Sequence, residues 1–230
     1  MVLIASYNIR KAIAADRRRR PDRILEILSE IGADIVLLQE ADRRFGARQS
    51  AIPPSMLADH GTYRPVPFDM RHGSLGWHGN AVLIGPRVEI LRHCPLHLPA
   101  LEPRGAVLTD VVVDGRKLRL IGMHLDLSGL WRRRQARAVL SELGQQDEML
   151  PTLMAGDLNE WGNGGCLRDF GAHFHPVPLG PSFHASRTIG RRDRIFVSDG
   201  ILVEDYGVHR SPLARNASDH LPVWARIRIG

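Results

Sequence analysis

The sequence predicts an α/β protein in which two mixed β-sheets pack face to face and helices cover the outer faces. Three observations predict it. The chain opens strand–helix–strand, an order that favours parallel pairing. An Asp114-Gly115 pair between two apolar runs marks an antiparallel hairpin. Along the chain there are roughly ten strand-like runs, more than one small open sheet usually holds.

The apolar run from Val2 to Tyr7 is read as a buried strand, and Arg17 to Arg20 as a basic loop. Pro21 suits the first turn of a helix whose Ile24, Ile27, Leu28 and Ile31 fall at helical spacing, with Gly32 at its end. Ile35 to Leu38 is a second buried strand. The stretch from Asp42 to Gly79 is rich in Gly, Pro, His and Arg and reads as a long, partly helical excursion of the kind that carries function. Asn80 to Ile84 and Val88 to Leu91 are short strands, and Val107 to Val113 and Lys117 to Met123 are the two arms of the hairpin. Leu130 to Leu150 is read as a helix stopped by Pro151, with Trp131, Val139, Leu140 and Leu143 on its apolar side. Strands follow at Thr152 to Ala155, Ile195 to Val197, Ile201 to Val208 and Leu221 to Ile229.

At 230 residues, 43% hydrophobic and 24% charged, the chain is expected to form one domain over residues 1–230, with ample core. No apolar stretch approaches the length of a membrane span, and the short run from Met1 to Ala5 is not expected to act as a secretory leader. Cys94 and Cys166 lack metal or redox spacing, so they are expected to be reduced and the protein cytoplasmic. The 31 Lys plus Arg outnumber the 25 Asp plus Glu, for a formal charge of +6, and only Lys11 and Lys117 are lysines. Arginine binds phosphate through paired N–H groups, which fits an anionic partner. Arginine-favouring codon usage would give the same excess.

The chemistry lies in short polar islands at the ends of apolar runs: Ser6-Tyr7-Asn8, Gln39-Glu40, Met123-His124-Leu125-Asp126, Gly156-Asp157-Leu158-Asn159 and Ser218-Asp219-His220, with Arg192-Asp193-Arg194 opening a further run. Alone, Glu40 reads as a solvated strand end, Asn8 as a turn residue, and Asp157 with Asn159 as an Asx turn. Together they offer the hard oxygen donors that Mg²⁺ takes. In extended backbone Asp157 and Asn159 face one side, placed to hold and deprotonate a water that attacks phosphorus. His124 and His220 are groups that can donate to a phosphate oxygen, and Asp193 could orient an imidazole from behind.

In this order the motifs resemble the endonuclease/exonuclease/phosphatase superfamily with its deoxyribonuclease-I-like fold, over nearly the whole chain. The resemblance implies a four-layer sandwich of two mixed sheets with helices outside. It implies that Asn8 and Glu40 bind the metal, Mg²⁺ or Mn²⁺, with Asp219 as an additional or water-mediated ligand. Asp157 then aligns or activates water, Asn159 holds that water or the phosphate, His220 backed by Asp193 contacts the scissile phosphate, and His124 is a further active-site histidine. Asn80 and Arg104 fall where many members carry substrate-side polar groups. The chain departs from the family pattern at Arg191-Arg192-Asp193-Arg194, where Arg, an aliphatic, Asp and an aromatic are usual. Alternation turns Arg192 and Arg194 away from Asp193.

The implied reaction is metal-dependent phosphodiester hydrolysis by in-line water attack, with nucleic acid as the expected substrate. The alternatives are a phospholipid or sphingolipid headgroup, or a small phosphate ester, and a catalytically silent binding module of the same fold. Arg132, Arg133, Arg134 and Arg137 are expected on a solvated helix face. Arg17 to Arg20 are candidates for holding a polyanion or an anionic lipid surface, which Phe68 and Trp77 would touch if exposed. No obligate protein partner is implied.

Overall fold

The computed structural model describes residues 1–43, 48–68 and 73–230. The excursion after Asp42 therefore lies partly outside the described residues. The first sheet runs in the order β11-β12-β1-β2-β4-β3, built from β1 (Val2–Asn8), β2 (Ile35–Gln39), β3 (Arg64–Pro65), β4 (Ala81–Ile84), β11 (Ile201–Val208) and β12 (Val223–Ile229). The second runs β5-β6-β7-β8-β10-β9, from β5 (Val88–Leu96), β6 (Gly105–Val113), β7 (Arg116–His124), β8 (Thr152–Asp157), β9 (His175–Pro176) and β10 (Asp193–Val197).

Each sheet is centred on one parallel pair, β1 with β2 and β7 with β8, and every other named pairing is antiparallel. Helix α1 (Pro21–Ile31) connects the first pair and α3 (Gly129–Gly144) the second, with the short α2 (Pro54–His60) falling between β2 and β3. A parallel connection must cross from one end of the sheet to the other, and a helix is the usual way to do so.

Side-chain alternation sorts these strands into layers. On β1 and β2, Ile4, Ile35 and Leu37 face the second sheet and join Val107, Leu118, Leu120, Leu153 and Ile195 in the inter-sheet core. Ala5, Tyr7, Val36 and Leu38 face outward under Ile24, Ile27 and Leu28 of α1. On the other side Ile121, Met123 and Met154 lie under Ala136, Val139 and Leu143 of α3, with Phe170 of α4 (Cys166–Gly171). Strands covered on both faces are continuously apolar, so each polar residue ending one is conspicuous.

The hairpin forms as expected, with Asp114 and Gly115 at φ of 50° and 73°, the left-handed pair that a two-residue turn needs to follow strand twist. Two expectations are corrected. Helix α3 stops at Gly144, not Leu150, because the chain turns back to feed β8. Glu148 carbonyl accepts from Arg119 Nη1 at 3.1 Å, and Lys117 pairs with the Glu148 carboxylate at 2.8 Å. Phe68 and Trp77 are not surface aromatics. Phe68 is buried in the inter-sheet core, and Trp77 is half-buried against it beneath the His78 and His97 rings. Among the described residues no helix is long and apolar enough to cross a membrane.

Candidate active site

Strand register assembles the site. Gly105 of β6 stands opposite His124 of β7, His124 opposite Asp157 of β8, and Asp157 opposite Asp193 of β10, so one level of the second sheet carries all three polar residues. In the first sheet Asn8 stands opposite Gln39, and Glu40 follows directly. The carboxyl ends of the two parallel pairs converge: Asn8 Nδ2 donates to Asp157 Oδ2 at 3.0 Å across the sandwich. Gly156 is required just before Asp157, because a Cβ there would lie 1.8 Å from the Met123 carbonyl oxygen.

Asp157 is the centre. It is 1% exposed, and its Oδ1 accepts the Asn159 N–H at 2.9 Å. His124 Nε2 and His220 Nε2 each lie 3.5 Å from its Oδ2, and Arg192 Nε lies 3.7 Å from its Oδ1. Asn159 Nδ2 donates to the Leu125 carbonyl at 2.9 Å, while its buried Oδ1 has no partner. Asn159 and Glu40 both have positive φ, 52° in each case, an uncommon conformation for residues other than glycine that clusters at functional sites.

The two histidines differ in charge. His220 Nδ1 donates to Asp193 Oδ2 at 2.9 Å, and Ser182 Oγ donates to the same oxygen. Burial disfavours the charged ring, but Asp193 and then Asp157 outweigh it and raise His220 to about 9. His124 is also buried, and burial together with the Arg104 guanidinium holds it well below the ordinary histidine range. Arg104 Nη1 donates to His124 Nε2 and, at 3.1 Å, to the Leu125 carbonyl, while its Nε pairs with Glu102 at 3.0 Å. The His124 proton therefore sits on Nδ1.

Glu40 pairs with Lys11. Burial alone would raise the Glu40 carboxyl, but Lys11, with Arg104 and His220 farther off, holds it below the usual range. Asp219 Oδ2 lies 3.6 Å from Arg10 Nε, and the Arg10 N–H donates to Asn8 Oδ1 at 3.1 Å. Ser218 Oγ ties this corner down by donating to the Asn8 carbonyl at 2.7 Å. Glu40 opens onto a cleft lined also by Lys11, Arg43, Arg48, Arg104 and His124. Asn80 sits deeper. It is fully buried, its Nδ2 donating to the Gly105 carbonyl at 3.0 Å and its Oδ1 unpartnered.

Asp157, Asp193 and His220 also form a close buried cluster of potential metal-ligating atoms. A charged His220 has no lone pair to give, so that trio is better suited to holding a proton than a cation. Asn8, Glu40 and Asp219 offer two carboxylates and an amide oxygen, each already facing a cation or an N–H, which is the donor chemistry of a hard divalent ion.

Arg192 departs from its expected direction. It precedes β10, so strand alternation does not govern it, and its guanidinium reaches Asp157 and lies 4.4 Å over the Phe183 ring. Arg132 is buried, not solvated. Its Nη1 donates to the Leu127 carbonyl at 2.6 Å, and it pairs with Glu160 at 3.3 Å. Arg133 and Arg137 pair with Asp169.

The family model for the endonuclease/exonuclease/phosphatase family matches residues 5–220. The chain belongs to that family. Among curated relatives, uncharacterized protein YbhP of Escherichia coli strain K12 is 25% identical over 258 residues, covering 98% of this chain and 96% of its own. Among family folds of known structure, mannosyl-6-phosphatase Bt3783 of Bacteroides thetaiotaomicron superposes with a TM-score of 0.76 at 20% identity, covering 100% of both chains. TDP2 of D. rerio, solved with a single-stranded DNA product, superposes with a TM-score of 0.74 at 19% identity, covering 99% of this chain and 98% of its own.

Proposed function

We propose that residues 1–230 form one endonuclease/exonuclease/phosphatase-type domain that hydrolyses phosphodiesters of nucleic acid with a divalent metal ion. The observation that carries this reading is the single level at which Asn8, His124, Asp157 and Asp193 meet, joined across the two sheets by the 3.0 Å contact of Asn8 with Asp157. The one-domain reading is supported by the first sheet, which combines β1 to β4 with β11 and β12.

Glu40, Asn8 and Asp219 would hold Mg²⁺ or Mn²⁺, which when bound supplies Lewis-acid stabilisation of charge on the phosphate. Asp157 accepts the proton of the attacking water, with its carboxylate fixed by the Asn8 amide and the Asn159 N–H. The Asn159 side chain holds that water, whose O–H donates to its unpartnered Oδ1. The His220 imidazolium donates from Nε2 to a non-bridging oxygen and is kept charged by Asp193. His124, with its neutral ring, acts as a positioning group between Arg104 and Asp157.

Nucleic acid is favoured by the basic cleft wall of Lys11, Arg43, Arg48 and Arg104, and by Arg17 to Arg19, which are exposed beside it; Arg19 Nη1 donates to the Lys11 carbonyl at 2.9 Å. The neighbour solved with a DNA product is consistent with such a substrate, and the neighbouring mannosyl-6-phosphatase makes a small phosphate ester the comparison to test. The free thiols Cys94 and Cys166 fit work in the reducing cytoplasm.

The test is turnover with Mg²⁺ or with chelator on plasmid DNA, abasic duplex, RNA, hexose phosphate and phospholipid vesicles. We expect nucleic acid cleavage that needs metal, with Glu40→Gln raising the Mg²⁺ concentration required. Headgroup or hexose-phosphate release without nucleic acid cleavage would move the substrate class. Metal binding with no turnover on any arm would leave a binding module.

A further inference from the structure

Beside His220 there is a wall of three side chains that the hydrolytic chemistry does not use. Trp161 follows Asp157-Leu158-Asn159-Glu160 and is 59% exposed. It is nonetheless held in place. Its six-membered ring lies on the backbone of Gly190, where a Cβ would come within 3.0 Å of the indole, and its edge meets Phe183 with centroids 5.7 Å apart. Phe183 in turn lies 4.8 Å from the His220 ring, and its backbone pairs with both Gly190 and His220. Between the two aromatics sits the Arg192 guanidinium, 4.4 Å from the Phe183 centroid and 5.7 Å from Trp161. Arg192 Nε is buried next to Asp157 and has no hydrogen-bond partner.

An indole fixed on one side and open on the other is an unusual thing for a protein to expose, because it leaves a large apolar face in water while the cost of ordering it has already been met. Such a face suits a flat ring. Phe183 links this face to the His220 ring, the group proposed to contact the phosphate, and the Arg192 cation lies against both aromatics. A ligand matching all three features has a planar ring joined through a short linker to a phosphate, within a polyanion.

We propose that Trp161, Phe183 and Arg192 form a stacking subsite that takes the nucleobase flanking the scissile phosphate of single-stranded nucleic acid. This deepens the nuclease reading and rests on it. The base stacks on the open face of Trp161. Arg192 supplies a cation at the ring edge. Gly190 is a positioning residue, since any side chain there would lift the indole off the backbone.

The subsite can be tested apart from catalysis. In chelator, short single-stranded DNA and the same chain built of abasic nucleotides are titrated into wild type, Trp161→Phe and Trp161→Ala, and Trp161 emission is taken as the difference between wild type and Trp161→Phe. Base-bearing DNA should quench that emission and bind roughly ten-fold tighter than abasic DNA, a preference typical of one base–aromatic stack. The preference should fall to about one in Trp161→Ala and be partly kept in Trp161→Phe, with circular dichroism confirming each fold. Equal affinity for the two chains would overturn the proposal. So would a blue shift of Trp161 emission on equal-part phosphatidylserine–phosphatidylcholine vesicles without a base effect, which would make the wall a membrane contact. Mg²⁺-dependent cleavage indifferent to the base would overturn the subsite while leaving the nuclease reading standing. Base-dependent quenching without any cleavage would keep the subsite and remove the hydrolytic reading.

Discussion

His124 and His220 approach the same carboxylate from different sheets, each with Nε2 3.5 Å from Asp157 Oδ2, yet their surroundings drive them to opposite charge states. Both are buried, so burial does not separate them. The difference is the second neighbour: a guanidinium at His124 Nε2, the nitrogen that also faces Asp157, and a carboxylate behind His220 at Nδ1. One carboxylate thus has a neutral ring on one side and a proton-bearing ring on the other. Paired groups whose environments push them apart are how a site assigns acid, base and positioning roles. Lys11 and Glu40 extend the contrast, since the cation-binding corner gathers at strand ends of the first sheet, whereas the two carboxylates of the proton-holding trio, Asp157 and Asp193, belong to the second.

The largest effect should come from removing what the two rings share. Asp157→Asn should lower kcat by roughly 10³-fold with the fold intact, and His220→Ala by a similar order, read as metal-dependent turnover. Wild-type-like rates in either variant would break the assignment. Next, Asp193→Asn should lower kcat by about 10²-fold and move the alkaline limb of its pH profile from near 9 toward the ordinary histidine value. A purely structural role for Asp193 would lower the rate without moving the limb. Arg104→Met on the His124 side should cost only about ten-fold and raise the His124 pKa, visible as a second titrating ring.

Stability against pH sharpens the same contrast. The folded protein raises His220 above its unfolded value, so the stabilisation is complete below about 6.5 and disappears as pH rises through about 9. It amounts to roughly 3 kcal/mol at most. His124 is depressed on folding, so it lowers stability as pH falls below about 6.5 toward its folded value. Urea midpoints measured in chelator should therefore peak near neutrality, with His220→Gln flattening the alkaline side and His124→Gln the acid side. The smallest effect is electrostatic: changing Arg17 to Arg20 to glutamine should make the salt dependence of oligonucleotide binding less steep by about one phosphate contact or more. An unchanged slope would remove that loop from the substrate path.

The layers and the strand-end residues were legible because buried strands are so uniformly apolar that Asn8, Glu40, His124 and Asp157 interrupt them visibly. The parallel pairs were legible from the intervening helices. What escaped lies in loops or depends on pairings between distant segments. Arg192 looked like a residue turned away from Asp193, but it stands one position outside the strand whose alternation was applied to it. Trp161 carried a local signal, two residues past Asn159. Phe183 and Gly190 carried none, since their place is fixed by backbone pairing to each other and to His220. Arg132 was hidden by its neighbours: four arginines on one helix read as solvated, whereas the one facing Glu160 is buried. Phe68 and Trp77 were misplaced because an excursion rich in Gly and Pro gives no periodicity from which to read which aromatics turn inward.

The difference between the two rings can be measured directly by following the His124 and His220 ring resonances in the metal-free protein from pH 5 to pH 10, assigned through the spectra of His124→Gln and His220→Gln. The predicted result is a His220 midpoint near 9 and a His124 ring that stays neutral throughout the range above the ordinary histidine value. Two rings titrating together near 6.5 would contradict it, and with it the division of labour around Asp157 on which the hydrolytic reading is built.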